Sequence, residues 1–147
     1  MSNVTFVCGQ LCSGKSHYAK GLAKACLYGT ILEVGDIVRS IKNSTSREVL
    51  QDSKDLVDKI ILKLNYAIKS LTFQLAEDVI ITGVRQKQIL EAFPEANMIW
   101  ISTPEHIRRI RYEKRSRGGD DQTFEEADAG DINLGILEVK KYIMERQ

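Results

Sequence analysis

Val4-Thr5-Phe6-Val7-Cys8-Gly9-Gln10-Leu11-Cys12-Ser13-Gly14-Lys15-Ser16 is the stretch on which the fold turns. Val4 to Cys8 is a short, almost unbroken run of β-forming residues, which predicts a strand buried on both faces of a parallel sheet. Gly9 to Ser16 fits G-x-x-x-x-G-K-[ST] without a mismatch. From Lys15 to Cys26 the spacing predicts a helix with Tyr18, Ala19, Leu22, Ala23 and Cys26 on one face. Strand, glycine loop and helix in that order are the context this pattern needs to bind phosphate. The glycines let the backbone wrap closely, so that consecutive N–H groups point inward as a nest. The helix N-terminus adds partial positive charge. Lys15 can then reach the β- and γ-phosphates, and the Ser16 hydroxyl can ligate Mg²⁺. Gly9, Gln10, Leu11, Cys12, Ser13, Gly14, Lys15, Ser16 and the adjoining His17 are the candidate binding residues for ATP with Mg²⁺.

Further along, Ile31-Leu32-Glu33-Val34 predicts a second strand that ends at Gly35-Asp36. A long amphipathic helix is expected from about Ser46 to Leu71, with Val57, Ile60, Ile61, Leu64, Ile68 and Leu71 in helical period. Asp78 to Thr82 predicts a third strand ending at Gly83, and Asn97 to Ser102 a fourth. Trp100, inside that apolar strand, is expected in the core. Pro104 then suits the first turn of a helix capped by Thr103. Leu134 to Gln147 reads as a helix and not as a last strand, so the sheet is expected to have four or five strands. The fold class is α/β: three layers around a mostly parallel sheet. Ligands in such sheets bind beyond the carboxyl ends of the strands, which directs attention to Gly9, Gly35-Asp36, Gly83-Val84-Arg85 and Ser102.

Length and composition suit one domain over residues 1–147. The chain is 43% hydrophobic and 28% charged, with 21 basic and 20 acidic side chains for a net charge of +1. A near-neutral balance excludes a strongly basic nucleic-acid packager and an acidic tail protein, while allowing a local basic patch. No apolar run approaches the ~18 residues of a membrane span. The N-terminus lacks a basic segment followed by an apolar one, and three cysteines near one end do not form a disulfide framework. A reducing, cytoplasmic setting is expected. Cys8 and Cys12 read as small apolar filler beside a tight backbone, with a redox switch as the alternative. His17 and His106 have no metal-ligand spacing with each other or with the cysteines.

The remaining signals are charged. Asp36 and Arg39 lie one helical turn apart after the second strand, so a carboxylate and a guanidinium can stand side by side over a cleft. They can equally be a helix N-cap and a surface arginine. Arg85, followed by Gln86 after the third strand, can bind an anion bidentately or be solvated. Residues 105–117 hold six basic side chains (Arg108, Arg109, Arg111, Lys114, Arg115, Arg117), and residues 118–131 hold six acids and no base. Two solvated helix faces would give the same pattern. Arg111 and Arg115 are four apart on one helix face, and Gly118-Gly119 supplies the flexible turn a closing lid needs.

Taken in order, these pieces resemble the P-loop nucleoside monophosphate kinases. Adenylate kinases carry a phosphate loop, a Gly-Asp-x-x-Arg motif, a strand ending in a Gly-x-x-Arg-like element, an R-x-x-x-R lid helix and an Asp-Asp segment. This chain has Gly35-Asp36-Ile37-Val38-Arg39, Gly83-Val84-Arg85-Gln86, Arg111 with Arg115, and Arg117 with Asp120-Asp121. Arg115 to Asp121 followed by Glu126-Ala127-Asp128 is also similar to archaeal adenylate-kinase-like and phage deoxynucleotide kinase sequences. The resemblance implies a P-loop NTPase fold with a short arginine-rich lid over about 108–131. It implies Lys15, Arg111 and Arg115 on the transferring phosphoryl group, with Arg117 in the lid. Ser16 and Asp36 would support Mg²⁺, and Asp36, Arg39, Arg85 and Gln86 the acceptor. Two places depart from the family pattern. Thr82 stands where many such enzymes have a Mg²⁺-supporting Asp, and Ala127 where a later lid arginine is expected.

The activity expected is therefore transfer of the γ-phosphate of ATP to a nucleotide, a (deoxy)nucleoside monophosphate. In the alternative the acceptor is a hydroxyl on DNA, a 5′ end or a hydroxymethyl-pyrimidine of the phage type, with Asp36 as general base. The basic helix would then follow the DNA backbone. A non-catalytic nucleotide-binding module is the third reading. A membrane partner is not expected, and monomer and homodimer both remain open.

Overall fold

The computed structural model describes residues 3–27, 29–44, 53–75, 78–115 and 122–147. Four strands, β1 (Val4–Gly9), β2 (Gly29–Glu33), β3 (Asp78–Thr82) and β4 (Asn97–Ile101), form one all-parallel sheet in the order β2-β3-β1-β4. Seven helices are seen among the described residues: α1 (Lys15–Ala25), α2 (Val34–Ser44), α3 (Ser53–Leu75), α4 (Lys87–Glu91), α5 (Glu105–Arg115), α6 (Phe124–Leu134) and α7 (Ile136–Glu145).

The alternation of the pleat divides the apolar residues between two faces. Val4, Phe6 and Cys8 of β1 join Val79 and Ile81 of β3 in the larger core, which α2, α3, α4 and α7 cover. Val7 and Ile80 face the other way and pack on Ala19, Leu22 and Ala23 of α1. Both faces of the two central strands are therefore buried, which is why their sequences read as continuous apolar runs. Leu64 of α3 lies in the larger core with 0% exposure. Leu64→Ala is expected to cost about 3 kcal/mol of unfolding free energy, read from urea denaturation.

The second strand is displaced from its expected place. The second strand spans Gly29–Glu33, and Val34 already opens α2. Val34, Ile37, Val38 and Ile41 follow helical spacing and turn toward the core. Asp36 thus sits in the first turn of a helix and not at the end of a strand. The long helix spans Ser53–Leu75, and the expected start at Ser46 lies outside the described residues. Short α4 and α6 complete the set. The signal for α6 is the Thr123-x-x-Glu126 cap, where the Thr123 hydroxyl accepts from the Glu126 amide at 3.2 Å.

Strand register places the site. Gly9 at the end of β1 pairs with Ile101 at the end of β4, and Val7 pairs with Thr82 at the end of β3. The loop after Gly9, the 83–86 segment and the 102–104 segment leave the sheet side by side.

Candidate active site

Gly9 ends β1 where no side chain fits. A Cβ there would lie 2.3 Å from Ser13 Oγ and 3.0 Å from the Ile101 carbonyl. The loop then closes on itself through Ser13 N–H to the Gln10 carbonyl at 3.0 Å. Cys12 has φ 60° and Gly14 has φ 94°, both left-handed. Such conformations in a non-glycine residue collect at ligand sites. Gly14 also opens α1, through its carbonyl to the Tyr18 N–H at 3.0 Å. The Ser13 hydroxyl is buried and has no protein partner. An unpaired hydroxyl inside a nest of amides suits an incoming phosphate oxygen.

Ser13, Gly14, Lys15, Ser16, Arg111 and Arg115 are among the residues lining a cavity of about 670 Å³ over this loop. His17 lines it too. Lys15 Nζ rests 3.5 Å from the Gln10 carbonyl. Burial lowers the Lys15 pKa below the usual lysine value, and the nearby positive charges of Arg85 and Arg115 push the same way against a partial counterweight from Asp131. The pocket is thus short of negative charge, the condition a polyphosphate relieves. Ser16 and the loop amides fit Mg²⁺–ATP. Among the described residues no group of three or more His, Cys, Asp or Glu side chains could hold a metal by itself.

The shifted Lys15 sets a pH dependence. A lysine whose native pKa is below its unfolded value, about 10.4, binds fewer protons when folded. Unfolding free energy therefore rises with pH through the interval between the two values. ATP affinity goes the opposite way, because Lys15 loses its charge in that interval. Titration with ATP at rising pH is expected to show affinity falling before pH ~10.4. Lys15→Arg is expected to remove that alkaline limb.

Cys8 is fully buried, and burial pushes its thiol up to about 12, so it stays protonated and inert. That supports the filler reading for Cys8.

The loop's outer rim is held by one neighbouring segment. Thr103 Oγ1 donates to the Ser13 carbonyl at 2.7 Å. Arg111 Nη1 donates to the Cys12 carbonyl at 3.2 Å, and Arg108 Nη1 to the Leu11 carbonyl at 3.3 Å. The acidic block answers the basic one. Arg108 pairs with Asp128 at 2.9 Å, Arg85 Nε with Asp131 at 2.8 Å, and Arg109 with Glu125. Among the described residues, α5 and α6 therefore face each other across a buried pair, Arg108 with Asp128, and an exposed one, Arg109 with Glu125.

The sequence-predicted acceptor residues divide between two cavities. Arg85, Arg115 and Asp131 border one of about 340 Å³ beside Leu11. Arg115 also lines the loop cavity, so these two spaces adjoin. Asp36 and Arg39 pair with each other on the exposed side of α2. Asp36 lines a different cavity of about 700 Å³ with Ile37, Ser40, Leu62, Lys63 and Tyr66. Ser16 is not among its lining residues, so Ser16 and Asp36 border separate spaces. Gln86 caps α4, its carbonyl accepting from Ile89 N–H at 3.2 Å. Arg117, Gly118, Gly119, Asp120 and Asp121 lie outside the described residues.

Arg108, Asp128 and Asp131 were not singled out from the sequence as site residues. The signal was there. Arg108, Arg111 and Arg115 have spacings of three and four, as do Phe124, Asp128 and Asp131 in the opposite order, so each set shares a helix face.

Residues 6–133 match the protein family described as AAA domain. The chain belongs to the AAA domain family. Members are P-loop NTPase domains, in agreement with the loop and the parallel sheet. A chain of the structure "Pnkp1/Rnl/Hen1 RNA repair complex" shares the AAA-domain chain's fold, with TM-score 0.65 and 14% identity over 98% of this chain. The match covers 45% of that chain, so the present sequence spans less than half its length. An uncharacterized protein from Eubacterium ventriosum matches at 15% identity and TM-score 0.48, over 95% of this chain and 74% of its own. No curated protein matches. No helix among the described residues is long and apolar enough to cross a membrane.

Proposed function

We propose that this AAA-domain chain is an ATP-dependent kinase that transfers the γ-phosphoryl group to a nucleotide, a (deoxy)nucleoside monophosphate, with residues 1–147 acting as one kinase domain. The observation that carries this reading is the set of cations around one glycine-cornered loop: Lys15, Arg111 and Arg115 line its cavity, and Arg85 stands close enough to depress Lys15. Phosphoryl transfer needs in-line positioning and neutralisation of charge on the moving group, with little covalent help from the protein. Lys15, Arg111 and Arg115 supply the positive charge, and Gly14 and the loop amides orient the donor. Ser16 would hold the Mg²⁺ that accompanies ATP, and that ion would supply further neutralisation of phosphate charge. Arg85, aligned by Asp131, is positioned to take an acceptor phosphate at the adjoining cavity.

A second reading has its own observation. Asp36 is an exposed carboxylate at the edge of the 700 Å³ cavity, oriented by Arg39 and close in sequence to the end of β2. For a hydroxyl acceptor seated there, Asp36 would be the general base. Nucleic-acid 5′-hydroxyl ends are the natural form of that acceptor. The similarity in fold to a chain of an RNA repair complex adds RNA ends to the DNA ends worth testing.

The test is transfer of labelled γ-phosphate from ATP with Mg²⁺ to two acceptor panels, with Lys15→Ala as blank. One panel holds the common NMPs and dNMPs. The other holds DNA and RNA oligonucleotides with free 5′-hydroxyls and oligonucleotides with hydroxymethylated pyrimidines. Label on a mononucleotide supports the first reading, and label on the oligonucleotides alone replaces it with the second. ATP binding without transfer to either panel would leave a nucleotide-binding module.

A further inference from the structure

Arg108 is set apart from the other arginines of α5 by its burial. It is 4% exposed, so it cannot meet a substrate in solution. One nitrogen, Nη1, donates both to the Leu11 carbonyl at 3.3 Å and to Asp128 Oδ1 at 2.9 Å. The guanidinium carbon lies 5.4 Å from the centre of the Phe124 ring, and Nε has no partner. A buried ion pair of this kind adds little stability compared with an apolar pair of the same shape. Its geometry is directed elsewhere, at the phosphate loop.

In a trans peptide the carbonyl of one residue and the N–H of the next point in opposite directions. Holding the Leu11 carbonyl on the α5 side therefore turns the Cys12 N–H to the other side. The Thr103 bond does the same for the Gly14 N–H through the Ser13 carbonyl. Cys12, held at φ 60°, is a residue that would not take this conformation unaided. The grip on its two flanking peptides comes from Arg108 and Arg111.

We infer that Arg108 is a positioning residue for the phosphate loop: anchored on α6 by Asp128 and Phe124, it fixes the Leu11–Cys12 peptide so that the loop's amides face the nucleotide. The inference rests on the nucleotide-binding reading of the loop and goes beyond it. The shape of the loop depends on α6, an element that lines none of the loop cavity. Arg109 serves as an internal control. It lies over the same Phe124 ring at 4.9 Å and pairs with Glu125 of the same helix, yet none of its hydrogen bonds reaches the loop.

The experiment uses the full chain. ATP affinity is measured with Mg²⁺ by calorimetry, and amide hydrogen exchange at residues 11–14 is followed without nucleotide. The Arg108→Met/Asp128→Leu double variant removes both charges and orphans neither. It is expected to melt near wild type, bind ATP about tenfold more weakly, and exchange its loop amides faster. Arg109→Met is expected to match wild type in both. Should the double variant fail to fold, Asp128→Asn weakens the anchor alone and is expected to shift both readouts in the same direction by less. In turnover the double variant is expected to raise KM for ATP more than it lowers kcat. A folded double variant, or Asp128→Asn in its place, with wild-type affinity and unchanged loop exchange overturns the inference alone. Wild-type protein that does not bind ATP overturns the nucleotide reading and this inference together.

Discussion

Lys15→Ala lowers phosphoryl transfer from ATP by about 10³-fold and leaves the melting temperature unchanged or slightly higher. Both halves follow from where Lys15 stands. Its ammonium is partly buried beside Arg85 and Arg115, and the cost of charging it there is what lowers its pKa. Removing it relieves that cost and forfeits only the long contact to the Gln10 carbonyl, so the fold loses little. Transfer loses the lysine of the loop itself, which lines the cavity proposed for the donor phosphates. Fixed charges aimed at a developing transition state, in a pocket screened from water, are worth more than the same charges in solution. Arg111 supplies its own charge but does not move into the place Lys15 vacates, because its Nη1 anchors it to the Cys12 carbonyl. Initial rates with labelled ATP and a thermal melt on the same preparation check the pair of outcomes. A variant with more than a tenth of wild-type transfer would remove Lys15 from the chemistry.

Gly14→Val abolishes ATP binding and lowers the melting temperature by several degrees. Gly14 has φ 94°, and a β-branched residue there is a steric outlier, at a cost of roughly 1–2 kcal/mol. Its Cβ would lie 3.3 Å from Arg111 Nη1, and the two γ-carbons would press on the guanidinium that secures Cys12. The loop would then yield at two places, its own backbone and its outer grip. Gly21 shows the contrast on the same helix. A Cβ there meets nothing within 4 Å, so Gly21→Ala is expected to stabilise α1 by about 1 kcal/mol. Calorimetry with ATP and thermal melts of the two variants separate the cases.

The family match and the sheet agree with the reading from sequence because that reading rested on local rules. An apolar run, a glycine loop and a helix are coded by neighbours in the chain, and four parallel strands follow from strand–helix alternation. The second strand end was read less well. Ile31 to Val34 is a short, mostly apolar stretch, so the strand was carried to Val34, but Val34, Ile37, Val38 and Ile41 share the spacing of a helix face, and burial of Val34 and Ile41 against the larger core makes Val34 the first residue of α2. Thr103 was read as the cap of the next helix, but α5 begins at Glu105 with the Pro104 carbonyl accepting from Arg108 N–H, and the Thr103 hydroxyl donates instead to the Ser13 carbonyl, 90 residues away.

From its sequence alone the chain determined a phosphate loop on a parallel α/β sheet, since the loop's geometry is written in eight consecutive residues, Gly9 to Ser16. It also determined which charges were at hand. Tertiary structure decided how those charges were used. Arg108 and Arg109 are adjacent and identical in chemistry, yet one is buried against the loop and the other is on the rim. Asp36 and Arg85 both follow strands, yet they border different cavities. A charge's role depends on its distance to groups far along the chain and on the water excluded around it, and both quantities exist only after the helices have packed.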